Sequence, residues 1–145
     1  MALKVELKPN ERIIIGTAVI RNGDTRTRLF IEGDAPILRE KDVLTAMTAD
    51  TPAKKIYLAL QLMYLEGDLG SSEKIYFPLV RDFLAAAPSA LPLIDEMNSL
   101  VLDGESYKAL KAAKALVAYE QDLMQNAARG SQRLRSGGEV RAAAP

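Results

Sequence analysis

The chain has 145 residues, 48% of them hydrophobic, which suffices for one ordinary domain or two small ones with a real core. Nineteen basic and nineteen acidic side chains cancel, so the overall charge points to no nucleic acid, membrane or acidic ligand. There is no Cys and no His, which excludes disulfides, Cys/His zinc sites and nucleophiles activated by histidine.

Leu3, Val5 and Leu7 alternate with Lys4, Glu6 and Lys8, the pattern of a half-buried strand, and Pro9-Asn10 turns the chain. Ile13-Ile14-Ile15 is a β-branched run closed by Gly16. Ala18-Val19-Ile20 is a second apolar run, closed by Asn22-Gly23-Asp24, a hairpin signal. Leu29 and Ile31 then alternate with Arg28 and Glu32 about Phe30, and Gly33-Asp34-Ala35-Pro36 makes the next turn. Residues 1–44 thus read as a small antiparallel β module of short hairpins. Strands this short bury little by themselves, so a homodimer through this part is expected. Lys41 to Ala46 either begins a helix or links the two halves.

Residues 45–125 carry helical signals. Asp50 or Thr51 is an N-cap, with Pro52 in the first turn. From Ala53 to Glu66 apolar residues fall nearly all round, so this helix is expected to be buried on several sides, and Gly67 and Gly70 close it. A second helix is predicted over Ser72 to Ala86, kinked or split at Pro78. A third is capped by Ser89, tolerates Pro92 in its first turn and reaches about Leu102. Asp103-Gly104 breaks the chain, and a fourth helix runs from about Glu105 to Gln125, with Tyr107, Leu110, Val117 and Leu123 as its buried side. Residues 126–145 offer one Leu, one Val and no aromatic, too little to offset ordering entropy, and read as a disordered tail. The fold class is therefore α+β: a β module, a bundle of about four helices and a tail. No signal-peptide pattern opens the chain, and no apolar run reaches the ~18 residues of a membrane span, so the cytoplasm is the expected location.

No catalytic constellation emerges. Asp95, Glu96, Asp103 and Glu105 read as a solvated helix end and loop, since nothing in their spacing makes two carboxyl groups converge. Gly67 to Lys74 lacks phosphate-loop spacing and has no preceding strand. No metal or cofactor is expected. Lys108, Lys111 and Lys114 recur every three residues and read as a solvated face. Arg21, Arg26, Arg28 and Arg39, with Lys4 and Lys8, leave two readings open: a solvated sheet face, or a small basic edge that grips single-stranded RNA through the planar fork of Arg. Phe30 is the one aromatic of the β part, which offers little platform for stacked bases.

Several phrases resemble a known family. MALKVELKPNERIIIG at 1–16, RTRLFIEGDAPILREKDVLT at 26–45, TADTPAKKIYLALQLMYLE at 48–66 and YKALKAAKALVAYE at 107–120 resemble the FlbT family of alphaproteobacterial flagellum biosynthesis repressors. That resemblance implies a post-transcriptional repressor, not an enzyme. Such proteins associate with the 5′ untranslated leader of flagellin mRNA, lower its translation and promote its degradation. Residues 3–44 are also similar to the RNA-binding regulator CsrA, through Asn10-Glu11-Arg12-Ile13-Ile14-Ile15-Gly16, Ala35-Pro36 and Arg39-Glu40-Lys41. This second similarity implies a five-stranded, strand-exchanged homodimer that binds GGA-containing leader RNA. By position its contacts fall on Lys8 and on Arg39, while Leu7 stands where a further basic residue is found. The candidate RNA-binding residues are therefore Lys4, Lys8, Arg28 and Arg39. An alternative is that the helical half binds flagellin or a flagellar secretion chaperone and affects the message indirectly.

Overall fold

A computed structural model describes residues 2–67 and 69–135; of 69–72 and 131–135 only the backbone is described. Five strands open the chain: β1 (Ala2–Leu7), β2 (Arg12–Ile15), β3 (Ala18–Arg21), β4 (Thr27–Glu32) and β5 (Ile37–Arg39). They form two small antiparallel sheets. β1 pairs with β4, Lys4 opposite Phe30; the other sheet has the order β3-β2-β5, with Ile14 opposite both Val19 and Leu38. β2 and β3 are a hairpin whose two-residue turn begins at Gly16, at a positive φ of 62° that glycine adopts without steric cost. The expected hairpin across Asn22-Gly23-Asp24 does not form, because β3 turns back on β2 while β4 crosses to β1. Asn22 instead donates from its amide to the carbonyls of Leu7, Lys8 and Thr25, tying the crossing to the end of β1.

The period-2 pattern decides how these sheets stack. Val5, Leu7 and Ile13 are buried together, with Ile15, Leu29, Ile31 and Ile37 packed on them, so the β1/β4 sheet lies against one face of the β2 sheet. The alternate residues Ile14 and Leu38 face the other way, into the helical core. The β part therefore completes its core on the helices.

Four helices follow: α1 (Pro52–Glu66), α2 (Leu69–Ala86), α3 (Leu91–Leu102) and α4 (Ser106–Arg135). Thr51 caps α1 by accepting from the Lys54 amide at 3.3 Å, with Pro52 in the first turn. Ala53, Ile56, Tyr57, Ala59, Leu60, Gln61 and Met63 are buried, as an all-round apolar pattern requires. Gly67, at φ 68°, ends α1 with its amide on the Met63 carbonyl. Gly70 lies within α2 and closes nothing. α2 passes Pro78 without splitting. Ser89 does not cap the third helix; it sits in a 3₁₀ turn, Pro88–Ala90, and its hydroxyl meets that of Tyr119 on α4.

α4 differs most from expectation. Its buried line is Ala109, Leu110, Ala113, Leu116 and Glu120, whereas Tyr107 is 47% exposed. It also continues ten residues past Gln125, to Arg135. The Ala- and Arg-rich stretch after Gln125 keeps a high intrinsic helix propensity even without a core to bury. The rest of the predicted tail, residues 136–145, lies outside the described residues. No described helix is long and apolar enough to cross a membrane.

Candidate functional site

One face of α1 holds the β part by polar tips at Tyr57, Gln61 and Tyr64, spaced i, i+4 and i+7 so that they stack along one side of the helix. The Tyr57 hydroxyl donates to the Asp42 carbonyl at 2.5 Å. Gln61 accepts from the Leu44 amide at 2.8 Å and donates to the Leu44 carbonyl at 2.9 Å. Tyr64 accepts from the Ile37 amide at 2.9 Å and donates to the Ile37 carbonyl at 3.1 Å. The outer edge of β5 and the loop after it are thus satisfied by side chains, as buried backbone groups require. Burial, with the Asp42 charge and Tyr107 adding to it, pushes the Tyr57 phenol up to about 12, so it stays a neutral donor.

This clamp sets β1 and β5 alongside α4, and a cleft of about 260 Å³ opens between them. Its walls include Lys4 and Glu6 of β1, Arg39 at the end of β5, Asp42, and Tyr107, Lys111 and Lys114 of α4. Lys114 pairs with Asp42 at 2.5 Å. The Lys111 ammonium stands 4.9 Å over the Tyr107 ring, a cation–π contact that orients it without neutralising it. Among the described residues, neither Lys4 nor Lys111 has a carboxylate within salt-bridge distance. Past Asp42 a second recess of about 160 Å³ adds Lys41 and Lys54. Six basic side chains therefore line the two recesses, and three are paired, Lys114 with Asp42, Arg39 with Glu11 and Lys54 with Asp50, while Glu6 also lines the cleft. Paired backbone and ring positions with free ammonium groups suit a chain of phosphates better than a single small anion.

The four residues singled out from sequence do not converge. Lys4 and Arg39 line the cleft. Lys8 lies at the turn after β1, exposed. Arg28 is on the outer face of the β1/β4 sheet, 3.6 Å from Glu6. Arg39 is partly committed within the chain: one Nη donates to the Glu6 carbonyl at 2.8 Å and to Glu11 at 3.3 Å, and its Nε is buried with no partner. It pins the free edge of β1 to β5 as well as contributing charge. Lys111 and Lys114 are exposed, as expected of a solvated face, but both also line the cleft; their three-residue spacing was visible, while the strand they face was not. Among the described residues no three His, Cys, Asp or Glu side chains gather as metal ligands. Asp95, Glu96, Asp103 and Glu105 are all exposed.

The fold is a strand-and-helix chain whose two parts meet at a basic, ring-lined cleft. The chain belongs to the FlbT family of flagellar proteins, whose family model matches residues 3–124. It is 56% identical over 124 residues to a probable flagellum biosynthesis repressor protein FlbT 1 of Bradyrhizobium diazoefficiens, covering 85% of each chain. It is 48% identical to a probable flagellum biosynthesis repressor protein FlbT of Rhodopseudomonas palustris, over 86% of this chain and 98% of the relative. The flagellum biosynthesis repressor protein FlbT of Caulobacter vibrioides is 33% identical over 135 residues, 90% of this chain and 94% of the relative. No solved structure matches. These relatives support a regulatory, repressing role in flagellum biosynthesis.

Proposed function

We propose that this chain represses flagellum biosynthesis at the level of the message, by binding the single-stranded 5′ leader of flagellin mRNA, lowering its translation and promoting its degradation. The repressor role is supported by the relatives' names, and the RNA target by the family resemblance. The observation that carries the binding reading is the cleft, where Lys4 and Arg39 from the β part meet Lys111 and Lys114 from α4. The cations run along a track, the geometry that a phosphate backbone matches, and Tyr107 offers a partly exposed ring beside it.

The test is a binding titration of the full chain with a flagellin leader RNA at several salt concentrations. Direct phosphate contacts make affinity fall steeply as salt rises. Lys4→Ala and Lys111→Ala each flatten the salt slope by about 0.7, the contribution of one phosphate on a single strand, and weaken binding several-fold. Lys8→Ala and Arg28→Ala, outside the cleft, change it less. Binding absent or insensitive to salt would overturn the reading, and a direct complex with flagellin or its secretion chaperone would then account for repression. Losses at Lys8 and Arg28 with none at Lys111 would move the site to the outer sheet face.

A further inference from the structure

The edge of β4 away from β1 is open: among the described residues β4 pairs with β1 alone, and β3 ends its own sheet. Natural edge strands are usually blunted by Pro, by a bulge or by charge. β4 has no Pro and an unbroken register, and its two charges, Arg28 and Glu32, stand on the outer face and are of opposite sign, so a second copy can match them. Its sequence is Thr27-Arg28-Leu29-Phe30-Ile31-Glu32, and Phe30 is 66% exposed on the outer face.

From this edge we infer that β4 pairs antiparallel with β4 of a second copy of the chain, about a two-fold axis at Phe30. The register follows from the side chains. With the axis at Phe30, Arg28 stands opposite Glu32 of the second copy and Glu32 opposite its Arg28, two ion pairs, and the two Phe30 rings meet at the centre. Leu29 stands opposite Ile31 on the inner face. Sliding by two residues sets Phe30 against Arg28 or Glu32, separates the two rings and moves the charge pairs to Arg26 or Asp34, outside the strand. Sliding by one sets inner-face apolar residues against the outer face, because the side-chain period is two.

The rows across the resulting four-stranded sheet extend the fit to β1. On the inner face Val5 and Leu29 continue into Ile31 and Leu3 of the second copy, an unbroken apolar row that includes the half-exposed Leu3. On the outer face Glu6 and Arg28 continue into Glu32 of the second copy, with alternating sign, and Lys4 flanks the Phe30 pair on each side. A self-complementary patch of this kind is what a two-fold dimer requires. This arrangement leaves the pairing of β1 with β4, and of β2 with β3 and β5, unchanged, and so needs no exchange of strands.

The experiment uses the full chain without RNA, so its outcome is independent of the RNA reading. Sedimentation equilibrium of the parent chain shows a dimer at micromolar concentration. Arg28→Glu or Glu32→Arg alone places like charges opposite each other twice per dimer and raises the dissociation constant about ten-fold or more. The double variant Arg28→Glu/Glu32→Arg restores both pairs across the axis with reversed sign and brings the constant below that of either single variant, the remaining loss being repulsion between the new carboxylate at 28 and Glu6 within each chain. Because the chain has no Cys, Phe30→Cys supplies a single thiol at the axis. Facing strand residues lie about 4.5–5.5 Å apart at Cα, inside disulfide range, so this variant oxidises to a covalent dimer while Val19→Cys, equally exposed on β3, does not. A parent chain that stays monomeric at 100-fold higher concentration (roughly hundreds of micromolar), a double variant that fails to recover, or equal cross-linking at both positions would overturn the inference.

Discussion

Replacing Glu120 with Ala removes a cap that α4 supplies to α1. Glu120 is 6% exposed, and its Oε2 accepts from the Ala53 amide at 2.9 Å, across 67 residues of sequence. Ala53 is fully buried in the first turn of α1, where amides have no partner within the helix. A hydrogen bond to a charged group contributes about 1.5–3 kcal/mol, and the carboxylate also faces the positive end of the helix dipole. Against this, the other carboxylate oxygen is buried with no partner, so the charge already carries a desolvation cost that its removal returns. The net loss for Glu120→Ala is about 2 kcal/mol, or roughly 6–10 °C in melting temperature for a chain of this size. Glu120→Gln keeps an acceptor but not the charge, and loses about half as much. Urea and thermal unfolding followed by circular dichroism measure both. An Ala variant within about 0.5 kcal/mol of the parent, or a Gln variant less stable than the Ala variant, would refute the capping argument.

Tyr64→Phe leaves the Ile37 amide and carbonyl without their partner and lowers stability by about 1–3 kcal/mol in urea unfolding, against near-neutrality if water replaces the hydroxyl. Glu11 accepts from the Lys8 amide at 2.8 Å and lies beside Arg39; that amide first, and then the guanidinium, hold its carboxyl below the ordinary value of 4.5. A depressed folded value stabilises fully above the unfolded one and is lost as pH falls through the folded one, so the stability gap between the parent and Glu11→Gln narrows as pH drops from about 5 toward 3. Urea midpoints across that range check the sign, and a gap that widens in acid would contradict it.

What was legible in the sequence was local. Alternation marked the strands, Thr51-Pro52 marked the start of α1, and the glycine at 67 marked its end, because each is decided by residues a few positions apart. Pairing was not legible. Residues Asn22 to Asp24 carry hairpin chemistry, yet β4 chooses β1, a partner more than twenty residues back, since that placement buries Leu29 and Ile31 on Val5 and Leu7. The site failed to appear for the same reason. Lys111 looks solvated on a helical wheel and is exposed, but only tertiary packing sets it at the same cleft as Lys4. Tyr107 looked like core by spacing, but the buried line of α4 is rotated toward Ala109 and Ala113, small residues that let α4 approach α1 and leave the Tyr107 ring at the cleft.

The clamp on α1 explains why this cleft needs both halves of the chain. Tyr57, Gln61 and Tyr64 each reach backbone atoms between Ile37 and Leu44, so β5 and the loop after it are held in register along one helix face. Leu38 adds an apolar anchor between those polar ones, buried in the helical core. From that fixed segment Arg39 reaches back to the Glu6 carbonyl, which sets the free edge of β1. On the other side the same α1 receives the Glu120 cap, which fixes the axial position of α4 and hence of Lys111 and Lys114, about two and a half and about one and two-thirds turns before it. Lys4 and Lys111 thus share a groove only through α1. Removing the β part would leave α4 with a lysine row and no facing wall, which is an exposed charged helix face and not a binding track.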